Sequence, residues 1–158
     1  MSAAATTDVI AIGNAIVDII GRCDDAFLKA HDAPKGHMRL VDAATIEALY
    51  KDMGPAIEMS GGSAANTMVG LASLGGAAAF IGKVAGDEVG RIFRHDIKAS
   101  GVAFDTKPAN GGAPTSRSLI LVTPDGQRTM NTFLGCSTEL DHGEVAGSAV
   151  AAAKVVYP

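Results

Sequence analysis

The sequence predicts an α/β fold with a largely parallel sheet and a small second β-layer beside it, on three observations. Strand-like and helix-like segments alternate along the 158 residues. The runs at 8–13 and 77–81 are almost wholly apolar, as strands covered on both faces are. Several short extended runs are left over that do not fit such a sheet, and they suggest a lid over a cleft.

The elements follow in order. Residues 8–13 (DVIAIG) form a strand ending in glycine and pass directly into a second extended run, 15–20. Asp24 caps a short helix reaching Lys29. Residues 38–41 are a short strand. Asp42 stands at an N-cap before Ile46, Leu49, Tyr50 and Met53, spaced i, i+3, i+4, i+7, and Gly54-Pro55 ends that helix. Residues 57–59 are short and extended. After Ser60-Gly61-Gly62-Ser63 a helix of small residues runs over about 64–74. The Val89, Ile92, Phe93, Ile97 stripe makes 87–100 an amphipathic helix with Gly101 beyond its end. Residues 116–122 and 127–134 flank Thr123-Pro124-Asp125-Gly126, which reads as a hairpin turn. Residues 144–153 are read as helix, and 154–157 open a buried strand. The second layer takes 15–22, 38–41, 57–59 and part of the 116–134 hairpin.

Composition narrows the function. A net charge of −4 offers no footprint for nucleic acid or an anionic membrane. No apolar run approaches the roughly 20 residues of a membrane span. The N-terminus lacks the cationic and apolar regions of a secretory signal, and Cys23 and Cys136 are lone thiols, so a cytoplasmic protein is expected. His31, His37, His95 and His142 have no ligand spacing with each other or with the cysteines, so no metal site is assigned. A dinucleotide-binding module would want G-x-G-x-x-G after the first strand, and Gly13-Asn14-Ala15-Ile16-Val17-Asp18 lacks it.

Two places carry candidate chemistry. Gly61 and Gly62 precede a helix, where they allow a tight bend and a close backbone approach to a ligand. The unpaired amides of the first helical turn can hold oxygen-rich groups, and Asn66 in that turn can donate to and accept from a hydroxyl. The other reading is a structural hinge, with Ser63 as N-cap and Asn66 answering it in a loose capping box. The second place is Asp18, which alternation puts on one strand face with Ile16 and Ile20. A carboxylate there meets solvent at an edge or takes a partner, and two adjacent ligand hydroxyls suit it.

Taken together these segments resemble one family, the PfkB or ribokinase-like carbohydrate kinases, and in particular its adenosine-kinase-like members. The matches are Gly13-Asn14-Ala15-Ile16-Val17-Asp18, Gly61-Gly62-Ser63-Ala64-Ala65-Asn66, the run from Leu74-Gly75-Gly76 through Phe80 to Gly90, and Pro114-Thr115 with Asp125-Gly126-Gln127-Arg128-Thr129, in family order. Met68 departs from the signature, which has a small residue there. The resemblance implies a Rossmann-like αβα sandwich with a β-sheet lid, the chain being its N-terminal part and truncated on the C-terminal side. It implies ATP-dependent phosphorylation of a primary hydroxyl on a sugar or nucleoside, adenosine first, with ATP and Mg2+ bound mainly by residues beyond this chain. It implies Asn14, Asp18, Gly61, Gly62, Ser63 and Asn66 as substrate contacts, Arg128 as a weaker candidate, and a homodimer through the β-lid. The family's catalytic base belongs to a G-A-G-D element. Ala85-Gly86-Asp87 imitates it but follows Val84 and precedes Arg91, Arg94 and Lys98, so Asp87 is assigned to helix capping and no catalytic residue is assigned. A non-catalytic domain that binds a sugar or nucleoside, or only dimerises, is the competing expectation.

Overall fold

The computed structural model describes residues 7–145 and 147–158. Two sheets share one core. The first is parallel and three-stranded, in the order β5-β1-β8, with β1 (Thr7–Ile12) between β5 (Ala78–Ile81) and β8 (Ala153–Tyr157). One face carries Ala11, Ala78 and Phe80 into the main core. The other carries Ile10, Ala79 and Ile81 against Leu140, Val145, Ala149 and Val150. Coverage of both faces explains why β1 and β5 read as unbroken apolar runs. The strand expected to be buried over 154–157 is instead exposed: β8 lies at the sheet edge with Val155, Val156 and Tyr157 open to solvent.

The second sheet has five strands in the order β3-β7-β6-β2-β4: β2 (Ile16–Arg22), β3 (Met38–Leu40), β4 (Ala56–Gly61), β6 (Ser116–Val122) and β7 (Arg128–Phe133). It gathers the short runs that the parallel sheet could not take, and it is the wider of the two. Its inner face, with Val17, Ile19, Leu119 and Leu121, packs against Leu28 of α1 (Asp25–Ala30) and against Ile46 and Leu49 of α2 (Ala43–Asp52). Helix α3 (Ser63–Ser73) covers the parallel sheet. Helix α4 (Glu88–Ala99) reaches both layers: the Phe93 ring packs tilted against Phe80 and edge-on to Phe104, while the helix also lies on β4 and β2. The stripe Phe93–Ile97 is therefore what joins the sheets into one core.

Three details differ from the sequence expectations. The helix expected over 144–153 is only α5 (Gly147–Ala151), preceded by two short 3-10 turns and followed at once by β8. Asp141 and Glu144 close a capping box around the second turn, and Glu144 also takes the Lys83 ammonium at 2.7 Å, so the chain is bent where a longer helix would run straight. Ser63 is not the N-cap of α3. Gly62 holds that position, no side chain caps the helix, and the Asn66 N–H bonds the Gly62 carbonyl at 2.9 Å in place of a capping box. Strand β4 is longer than 57–59 and runs into the glycine pair, so Gly61 is a strand residue and the bend falls at Gly62. The hairpin, by contrast, closes as its turn residues dictate, with the Gly126 N–H on the Thr123 carbonyl at 2.8 Å.

Candidate functional site

Asp18, Gly61 and Gly62 meet where β2 pairs with β4. The register sets Asp18 opposite Met59 and Ile16 opposite Gly61. A Cβ built on Gly61 would fall onto the Asp18 carboxylate, so the missing side chain is the space the carboxylate occupies. Gly62 has φ of 93°, and a Cβ there would stand 2.5 Å from the Asn14 carbonyl oxygen. Four of the six expected residues are thus brought together as two close pairs, Gly61 with Asp18 and Gly62 with Asn14. Ser63 and Asn66 follow on the exposed first turn of α3.

The electrostatics single out Asp18. It is half-buried, and burial alone pushes its carboxyl above the ordinary value of 3.8. Among the described residues no hydrogen-bond donor or cation reaches it, and its row across the sheet is Leu40, Thr132, Ser118, Asp18, Met59. The adjacent row is Met38, Met130, Ile120, Ile20, Ile57. Ser118 and Thr132 bond each other at 2.9 Å. The outer face of the sheet is therefore a carboxylate and a hydroxyl pair set in an apolar field, with Met38, Leu40 and Ile57 more than half exposed. An arrangement of this kind can take a ligand that offers vicinal hydroxyls to Asp18 and an apolar ring to its neighbours.

Arg128 is not brought to this place. It pairs with Val122 at the end of the sheet, four registers from the Ser118–Thr132 pair, or about 13 Å at the usual strand rise. Its turn has a structural occupation: Asp125 accepts from Thr123 Oγ1 at 2.6 Å and pairs with Lys35, which also holds Asp25 of α1. Asp87 likewise is committed. Its carboxylate accepts from Gly90 N, Thr115 N and Thr115 Oγ1 at 2.8, 2.8 and 2.6 Å. Burial works against its charge, but these bonds prevail and hold the carboxyl below its ordinary value. A capping carboxylate with three donors has little capacity left for a substrate proton.

Ser118 and Thr132 escaped the sequence reading, although the hairpin turn already pairs them. Their place beside Asp18 depends on the parallel pairing of β2 with β6, a hundred residues apart, for which no local signal exists. Among the described residues no group of three His, Cys, Asp or Glu side chains converges, and no helix is long and apolar enough to cross a membrane.

The profile of the pfkB family carbohydrate kinases matches residues 57–157, well over half of the chain. The chain belongs to the pfkB family. Among solved structures it is similar to adenosine kinase from Sinorhizobium meliloti, at 57% identity and a TM-score of 0.89, over 97% of this chain and 47% of that one. It is similar to a probable sugar kinase from Rhizobium etli CFN 42 at 54% identity and a TM-score of 0.88, over 96% of this chain and 46% of that one. Among curated relatives, probable fructokinase-6, chloroplastic, of Arabidopsis thaliana is 31% identical over 125 residues, 77% of this chain and 33% of the relative. The chain thus spans about half the length of those structures and a third of that curated relative. The ribokinase-like α/β fold expected from the motifs is the fold observed.

Two consequences can be measured. A carboxyl that holds its proton longer when folded than when unfolded lowers stability as pH rises from 3.8 through its raised folded value, and the loss persists above it. Asp18→Asn should therefore raise the melting temperature of the ligand-free protein at pH 7, with the gain shrinking as pH falls and vanishing below pH 3.8. A gain that is independent of pH would show that the carboxylate is not desolvated. In urea unfolding, Gly61→Ala should cost about 1–2 kcal/mol in the wild-type background and much less beside Asp18→Ala, because the three atoms nearest the new methyl all belong to that carboxylate. Additive costs would separate the two residues.

Proposed function

We propose that this chain is the substrate-binding half of an ATP-dependent kinase acting on a primary hydroxyl of a sugar or nucleoside, with adenosine as the substrate. The observation that carries the reading is the Asp18 carboxylate, half-buried on an apolar sheet face and, among the described residues, without a hydrogen-bond donor. Two adjacent ribose hydroxyls would supply the missing donors, and such charge-assisted bonds are strong enough to outweigh its desolvation. Gly61 and Gly62 bring main chain close to the sugar, Asn14, Ser63 and Asn66 add polar contacts around it, and Ile20, Ile57, Ile120 and Met130 face the base. The five-stranded sheet acts as the lid. The 57% identity to an adenosine kinase favours a nucleoside, while the fructokinase relatives at about 30% keep fructose as the second reading.

Phosphoryl transfer needs positioning and charge neutralisation. Among the described residues no acidic cluster converges, and Asp87 is committed to Thr115 and α4. Their part is to bind and orient the acceptor hydroxyl. ATP and Mg2+ use follows from the family, and the residues that hold them lie outside this chain in this reading. A reducing cytoplasm suits the two unpaired thiols, Cys23 and Cys136.

Calorimetric titration of the chain with adenosine, ribose and fructose tests the reading. Adenosine should bind most tightly, and Asp18→Ala should weaken it by about 2–4 kcal/mol. Unchanged affinity would remove Asp18 from the site, and a preference for fructose would favour the fructokinase alternative. With MgATP added, no phosphorylated product should form; turnover that disappears on Asp87→Asn would make Asp87 the base.

The exposed Met38, Leu40 and Ile57 also favour a homodimer through the lid sheet. Sedimentation should show a concentration-dependent dimer that Ile57→Lys abolishes; a monomer at every concentration retires that reading.

A further inference from the structure

We propose that Asp96 is a positioning residue that holds the Gly61-Gly62 junction, and through it the Asp18 carboxylate, in the binding geometry. The inference rests on the reading of Asp18 as the ligand anchor and adds a residue from a different element. Asp96 lies on α4 between Phe93 and Ile97, the two buried side chains that join the helix to the common core. One of its oxygens, Oδ2, accepts from Ser60 N at 2.6 Å and from Ser60 Oγ at 2.7 Å. Ser60 is the last residue before the glycine pair and is paired in register with Val17, the neighbour of Asp18.

Strand β4 is an edge strand, so one row of its main-chain groups has no strand partner. Asp96 satisfies that row at Ser60. Protecting an edge would need only the N–H. The additional bond to the hydroxyl fixes the rotation of Ser60 as well as its position, at the point where the chain enters two residues that have no side chains to resist torsion. The other charged residues of α4 are turned elsewhere: Arg94 to the Thr106 carbonyl and the Phe104 ring, Lys98 to Asp105, Arg91 to Glu88. Among the described residues Asp96 forms no ion pair, and both hydrogen bonds of its carboxylate come from Ser60. Because a Gly61 Cβ would overlap the Asp18 carboxylate, a small shift of Gly61 opens or closes the wall against which Asp18 rests.

The experiment compares the wild-type chain with Asp96→Ala, Asp96→Asn and Ser60→Ala. It reads the Asp18 carboxyl titration by NMR without ligand, adenosine affinity by calorimetry, and melting temperature. In Asp96→Ala the Asp18 titration should move down toward the ordinary carboxylate range and adenosine affinity should fall about tenfold. Ser60→Ala, which loses one of the two bonds, and Asp96→Asn, which keeps an oxygen acceptor, should show the same changes at smaller size. A variant Asp96→Ala that melts lower while its Asp18 titration and affinity stay at wild-type values would reduce Asp96 to fastening an edge, and would overturn the proposal. If Asp96→Ala does not fold, Ser60→Ala decides: an unmoved Asp18 titration overturns it. If no adenosine binds to the wild type but the Asp18 titration still moves, the positioning role stands and the substrate reading fails.

Discussion

The Asp18 carboxylate rests against the main chain of Gly61, among isoleucines and methionines, and among the described residues no donor reaches it. A charge in that setting is unfavourable in the ligand-free protein, and the surrounding structure has to hold it there. The β2–β4 pairing supplies the register, the absent Gly61 side chain supplies the space, and the core beneath β2 prevents the strand from turning its other face outward. A one-residue slip of β2 would bury Asp18 and expose Val17 and Ile19, which the packing of α1 and α2 forbids.

Helix α4 extends this constraint from the strand pair to the whole chain. Phe93 anchors it to Phe80 of the parallel sheet, Asp96 to Ser60 of the five-stranded sheet, and Asp87 fastens its first turn to Thr115 at the entrance to β6. Each carboxylate of that helix with a buried side thus meets a main-chain amide of another element. The aspartate of the Ala85-Gly86-Asp87 triplet, which imitates a catalytic element, is spent on this joining.

The two faces of the five-stranded sheet divide the work. Its inner face carries stability through apolar packing, and its outer face keeps apolar area uncovered at Met38, Leu40 and Ile57. Uncovered area of that kind lowers stability and solubility in the free protein and is recovered when a ring or a second surface covers it.

Local physics made much of this legible in the sequence. Apolar runs marked β1 and β5, Asp24, Asp42 and Asp87 marked three helix starts, and the Thr123–Gly126 turn set the hairpin register. The alternation around Asp18 and the order of the glycine motifs named the candidate residues before any coordinates. Those signals lie within a few residues of one another, where propensity, capping and periodicity act. The tertiary structure alone decided the pairing of β2 with β6 and β4, which sets Asp18 beside Ser118 and against Gly61. It also removed Arg128 to the far end of the sheet, exchanged Ser63 for Gly62 at the α3 cap, and brought Asp96 to Ser60. These are contacts between segments tens of residues apart, selected by which faces can be buried together, and no short window of sequence contains that choice.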